Sequence, residues 1–221
     1  MSAHVCPWWL AWLAIDNPLR RLVHNPQKIV GPYVQPGMTA LDVGCGTGWF
    51  SIPMATMAGQ QGRVIAVDLQ QQMLDMLRRR AQRAGVGDRI QTHKCAPDSL
   101  GLDAQADFAL AFAMVHEVPD PRRLFGEILA CLKPGGRLLL AEPRLHVSAQ
   151  TFAVEIAAAE QASFRLLEEP KIRWARAMLL GRTIPGTGTT GERSLTDDLL
   201  ESSAESQVGS KRVESGGGAV G

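Results

Sequence analysis

The residues best placed to do chemistry come as a run, Leu41-Asp42-Val43-Gly44-Cys45-Gly46-Thr47-Gly48. A short apolar strand ends in three glycines at alternate positions and a helical pattern follows at once. Glycines there let the backbone turn sharply and let a ligand lie against main-chain atoms. The helix N-terminus adds unpaired N–H groups and a partial positive charge. Asp68 stands 20 residues after Gly48, at the end of the next β-branched run. A carboxylate at that distance faces the same crevice, where it can accept hydrogen bonds from two ribose hydroxyls. Leu69 beside it can cover one side of an adenine ring. Taken alone, Asp68 also reads as a cap for the helix that follows it. The dinucleotide fingerprint is G-x-G-x-x-G, whereas this chain has G-x-G-x-G with Trp49 at the site of the third glycine, and no second nucleotide-binding half. A nucleoside ligand without a pyrophosphate suits the loop better than a nicotinamide dinucleotide.

These residues need a scaffold, and the pattern supplies one. Strand-like and helix-like segments alternate from residue 36 to about 182: strands at 39–43, 63–67, 90–94, 107–112, 137–141, 164–167 and 174–180, with helices at 47–57, 70–84, 121–132 and 148–159. Such alternation predicts an α/β fold with a mostly parallel, doubly wound sheet covered on both faces. In the helix over 70–84, Met73, Leu77, Ala81 and Ala84 fall on one face, and Arg78, Arg79 and Arg83 on the opposite, solvated side. Lys133-Pro134-Gly135-Gly136 reads as a turn into a strand, and Ser148 as a helix cap.

From Thr39 to Leu180 the chain resembles the class I S-adenosylmethionine-dependent methyltransferases of small-molecule type. The segments that carry the likeness are LDVGCGTGWFSIPMA, RVIAVDLQQQML, DFALAFAMVHEVPD and CLKPGGRLLLAEP, in that order. The resemblance implies a Rossmann-like sheet of seven strands whose last strand is antiparallel. It implies S-adenosylmethionine as cofactor, with Gly44, Cys45, Gly46 and Gly48 passing its methionine end and Asp42 beneath the amino group. Asp68 would hold the ribose, and Ala111 and Phe112 would line the inner side. The family's acidic residue near the adenine is replaced by Lys94-Cys95-Ala96-Pro97-Asp98-Ser99, so either Asp98 or backbone N–H groups take that contact. His116 and Glu117 follow the fourth strand, where relatives bind acceptors. An imidazole with an ordinary pKa near about 6.5 suits a base, although a packing or capping histidine is an equal alternative. Glu142 and His146 are further rim candidates that read as structural.

Composition limits the remaining choices. With 23 Lys and Arg against 22 Asp and Glu, the net charge of +1 gives no electrostatic reason for a nucleic-acid partner. Cys6, Cys45, Cys95 and Cys131 form no C-x-x-C pair and no zinc spacing, so no metal is expected and a reducing, cytoplasmic setting is. The apolar stretch Val5–Ile15 is too short to span a bilayer, though Trp8, Trp9 and Trp12 would allow a weak contact with a membrane surface. Residues 1–35 read as a helical arm or lid with proline-punctuated turns, at Trp8 to Ile15, after Pro18 and at Pro26 to Val30, and 36–182 as the cofactor-binding domain. In the tail from 183, 18 of the 36 residues from Gly186 onward are Gly, Ser or Thr, which predicts disorder. Between the fifth and sixth strands there is room only for a loop and a helix. The acceptor pocket is therefore expected to borrow from residues 1–35 or from a second subunit of a homodimer, and loss of residues 1–25 should spare cofactor binding but abolish transfer. The expected function is methyl transfer to a small-molecule acceptor; the alternative is a cofactor-binding module, without transfer activity, that serves a partner protein.

Overall fold

The computed structural model describes residues 24–183. The helical turns expected at Trp8 to Ile15 and directly after Pro18, Cys6, and the Gly/Ser/Thr-rich tail lie outside them. The described chain builds β1 (Thr39–Val43), β2 (Arg63–Asp68), β3 (Ile90–Lys94), β4 (Ala106–Phe112), β5 (Leu132–Pro143), β6 (Phe164–Glu168) and β7 (Ala175–Arg182). These form one seven-stranded sheet in the order β3-β2-β1-β4-β5-β7-β6. The pairs from β3 across to β5 are parallel, and β7 runs antiparallel to both β5 and β6. The order reverses between β1 and β4, leaving a crevice outside their carboxyl ends.

The central strands β1 and β4 are buried at every residue but Asp107, as parallel strands covered on both sides must largely be. One face carries α4 (Pro121–Ala130) and α5 (Ala149–Gln161), with Phe125, Ile128, Phe152 and Ile156 in its core. The other carries α1 (Pro26–Val30) and α2 (Ser51–Ala58), packed through Val30, Met54 and Ala55, while α3 (Gln71–Arg83) covers β2 with Leu74 and Leu77. Caps set the helix starts: Asn25 accepts from Gln27 N, Asp120 from Arg123 N and Ser148 from Thr151 N, with Pro26 and Pro121 in the first turn.

Several boundaries differ from expectation for local reasons. α2 begins at Ser51 rather than Thr47, because Gly44, Gly46 and Gly48 hold φ of 70°, 52° and 89° and interrupt a right-handed helix. On α3, Ala84 is exposed and Leu74 takes a place in the buried stripe, while Arg78, Arg79 and Arg83 are exposed as expected. Lys133–Gly136 lies inside β5 as an irregularity: Leu132 pairs with Ala106, and regular pairing resumes at Phe108 and Arg137. The division at residue 35 is no packing boundary. Val30, Tyr33 and Val34 are buried, and the Tyr33 ring stacks on Phe108 at 5.7 Å. The guanidinium of Arg137 sits 5.6 Å from the Tyr33 centroid.

Candidate active site

A cavity of about 540 Å³ opens at the crevice between β1 and β4. Val43, Gly44 and Gly46 form its floor, and the ends of β2 and α3 one wall, with Asp68, Leu69, Gln70 and Met73. Residues 95–100 after β3 and residues 113, 114 and 117–120 after β4 form the others, and Arg123, Leu124 and Glu127 of α4 close the far end.

Asp68 is the anchor of this arrangement. It is 9% exposed, and its Oδ2 accepts from Gly46 N at 2.9 Å while Oδ1 accepts from Gln70 N at 2.8 Å. One carboxylate therefore fastens the glycine loop to Gln70, the residue before α3, and still lines the cavity, while α3 itself starts without a side-chain cap. Burial raises its pKa, against the opposing pull of the N–H groups of Gln70, Gly46 and Leu69. Arg80 adds a second tie by donating from Nη1 to Thr47 Oγ1 at 2.8 Å.

The three glycines do different work. A Cβ on Gly46 would meet no atom within 4 Å, so this position is open to whatever the cavity holds. One on Gly44 would come within 2.9 Å of the Met114 side chain, the opposite wall. One on Gly48 would collide with Leu77 Cδ1, so this glycine, which is off the cavity, serves the packing of α3.

Other expected residues are placed as follows. Leu69 and Asp98 line the cavity, Asp98 exposed and 3.7 Å from Arg123 Nη1. Asp42 lies behind the loop, 3% exposed, accepting a short bond from Ser51 Oγ. Cys45 is 6% exposed among Ala66, Leu74 and Leu77; burial, then Asp42 and Asp68, pushes its thiol well up, so it is inert packing. Ala111 and Phe112 sit inside β4 rather than on the cavity; Phe112 packs edge-on to His24 at 5.2 Å and against Phe50 at 4.7 Å. Ala113 and Met114, one and two residues further on, supply the wall.

His116 and Glu117 part company. Glu117 faces the cavity; His116 does not, and its Nδ1 donates to Glu142 Oε2 at 2.7 Å. Glu142, at the end of β5, is fully buried, and its Oε1 also accepts from Val115 N at 2.7 Å and Met114 N at 3.2 Å. The hydrogen bond from Glu142 raises the His116 pKa, burial works against it, and the charges of Glu142, Glu117 and Glu155 add to the rise. His146 is exposed beyond β5.

Two carboxylates escaped the sequence reading. Glu127 of α4 accepts from Leu100 N and from Ser99 Oγ, pinning the loop after β3. Glu155 of α5 is 3% exposed and neither of its oxygens has a hydrogen-bond partner. Burial and then Glu142 push it up to about 8. The signal was in the helical spacing, since Glu155 shares the buried stripe of Phe152, Ile156 and Ala159. Among the described residues there is no cluster that could hold a metal ion, no disulfide joins Cys45, Cys95 and Cys131, and no helix is long and apolar enough to cross a membrane.

The cavity suits a nucleoside with a small charged appendage. Asp68 offers lone pairs to a diol, Leu69 and Met73 an apolar edge to a ring, and Gly46 room against the main chain. Residues 40–136 match the family model for a methyltransferase domain. The chain is 32% identical over 109 residues to a demethylmenaquinone methyltransferase of Oceanobacillus iheyensis, covering 49% of this chain and 46% of that one. It is 32% identical over 133 residues to a tRNA 5-carboxymethoxyuridine methyltransferase of Escherichia coli, covering 59% and 46%. The chain thus spans less than half the length of either relative. A SAM-dependent methyltransferase from Aquifex aeolicus superposes with a TM-score of 0.68 at 22% identity, over 76% of this chain and 95% of that one, and shares the fold. The family model falls on the strands and loops that build the cavity, so residues 40–136 form a methyltransferase domain, of the class I kind whose cofactor is S-adenosylmethionine.

Proposed function

We propose that this protein transfers a methyl group from S-adenosylmethionine to a small-molecule acceptor. The observation that carries this reading is the meeting of Asp68 and Gly46 on one cavity at the switch point of the sheet. In this reading Asp68 holds the ribose, and Gly44 and Gly46 let the methionine end lie against the main chain. Asp98 serves the adenine. Pro97 has no N–H, and the N–H groups of Cys95, Ala96, Ser99 and Leu100 are already bonded to Asp68 O, Ser99 O, Ala96 O and Glu127, which leaves Asp98 the polar group on that loop. The cofactor supplies an already activated methyl, so the protein's task is chiefly to orient the acceptor and exclude water. Glu117 stands on the wall at this edge, and behind it His116, its imidazole bonded to Glu142, is the group placed to hold a proton.

The test is calorimetric titration of the full chain with S-adenosylhomocysteine and with NAD. S-adenosylhomocysteine should bind and NAD should not, and Asp68→Ala should weaken binding about 10- to 100-fold, as expected for losing charged hydrogen bonds to two hydroxyls. A folded protein that binds only NAD would overturn the reading. Labelled methyl transfer into small-molecule and RNA pools would then find the acceptor. Label in RNA would replace the small-molecule assignment with the kind of acceptor named for the Escherichia coli relative. Binding without label in any pool would favour the module that serves a partner.

A further inference from the structure

The turn after β4 supplies two residues of the cavity wall, Met114 and Glu117, yet it is a single short 3-10 turn over Val115–Glu117. What fixes it is Glu142. One fully buried carboxylate accepts from Met114 N, Val115 N and His116 Nδ1, so three successive residues hang on it. Burying a carboxylate is costly unless it is paired and hydrogen-bonded. The imidazole, its side chain 25% exposed against 0% for Glu142, is the titratable partner bonded to it.

The surroundings offer little other compensation. Glu155 approaches from α5 and is itself acidic. Arg176, opposite Glu142 on β7, directs Nη1 to Val147 O, and α4 meets α5 through Phe125 and Ile128. Glu117 on the same turn is also acidic. Among the described residues bonded to Glu142, His116 alone can be cationic, and a proton on its ring changes the cluster from net negative towards neutral.

We propose that Glu142 is the positioning residue of the cavity wall, clasped by His116, so that the cavity's affinity for an adenosyl ligand follows the protonation of His116. The ligand's identity rests on the methyl-transfer reading; the clasp itself does not. With the imidazolium in place, the bond to Glu142 is charge-assisted and the Met114 side chain is held against Gly44. When the ring loses its proton to solvent, the bond weakens and the wall loosens.

The experiment is NMR of the free full-length chain carrying ¹³C-methyl methionine, titrated from pH 5.5 to 9 beside the His116 ring resonances. Met114 is assigned by Met114→Leu. The Met114 methyl should titrate with the midpoint of His116, above the ordinary histidine value. In His116→Gln that titration should vanish while the fold is kept. Glu142→Gln keeps the acceptor oxygen but removes the charge, and should also abolish it; Glu155→Gln should leave it in place. In parallel, affinity for S-adenosylhomocysteine should fall about three- to tenfold from pH 6 to 9 relative to His116→Gln, the scale of losing the charge assistance of one hydrogen bond. A Met114 methyl that ignores the imidazole, or that titrates equally in His116→Gln, overturns the proposal. If no adenosyl ligand binds at any pH, the methyl-transfer reading fails, and the Met114 coupling still decides this one.

Discussion

Two glycines two residues apart illustrate how differently one motif is used. Gly46 and Gly48 both hold positive φ, and a sequence pattern treats them alike. Gly46→Ala meets open space, so its expected stability cost is only the left-handed backbone, about 1 kcal/mol, while affinity for S-adenosylhomocysteine should fall severalfold. Gly48→Ala drives a methyl into buried Leu77 at the same kind of φ, and should cost about 2–4 kcal/mol with its main effect on the melting temperature. Thermal melts and titrations of the two variants check the contrast; equal behaviour would refute it. Glu155 makes a separate statement. Its folded pKa of about 8 lies above the ordinary glutamate value of 4.5, so between those pH values the folded state keeps a proton that the unfolded chain has released. Stability must then decline as pH rises from about 4.5 to about 8. Glu155→Gln removes that decline. It should match the native chain near pH 4 and exceed it by about 1–2 kcal/mol at pH 8, a figure kept modest for solvent screening. Denaturant melts at the two pH values decide it.

The elements were largely legible, and the misses have physical causes. All seven strands and the helices α1 to α5 follow from runs such as Arg63–Asp68, stripes such as Met73 and Leu77, and the proline-opened turn Pro26–Val30. The start of α2 was misjudged because pattern places a helix after the glycines without asking what their φ angles permit. The place of Asp68 on the crevice was readable because its spacing from the glycines marks the end of the second strand. The link between His116 and Glu142 was not, since it joins residues 26 apart on different strand ends and no local periodicity records that. α1 was the element most undervalued. Its residues carry no catalytic pattern, but Val30 and Tyr33 fill the core over Phe108. A chain starting at residue 36 should therefore lose cooperative folding. One starting at residue 24 should keep it and bind S-adenosylhomocysteine, yet transfer no methyl group if the first 23 residues complete the acceptor pocket. Circular dichroism melts, calorimetry and labelled transfer on the two truncated chains check each part, and full activity of the longer one would sink the pocket assignment.

At the scale of the molecule, the cavity is built where the chain reverses its direction of travel across the sheet. Its floor comes from β1, its polar anchor from β2, and its opposite wall from the turns after β3 and β4, all within the stretch that the methyltransferase domain model matches. The later part of the chain contributes from behind, through Glu142 and Glu155. One feature of the framework has a practical side. His24 bonds through Nε2 to Arg173 O and packs on Phe112 at the carboxyl edge of the parallel strands, whereas Arg182, the last residue of β7, donates to Leu129 O at the opposite edge. The two ends of the described domain thus leave from opposite poles. A fluorophore or surface tether joined after residue 183 would stand a sheet's length from the mouth of the cavity, while one joined just before residue 24 would sit beside it, and the first is the attachment for watching ligands come and go without disturbing them.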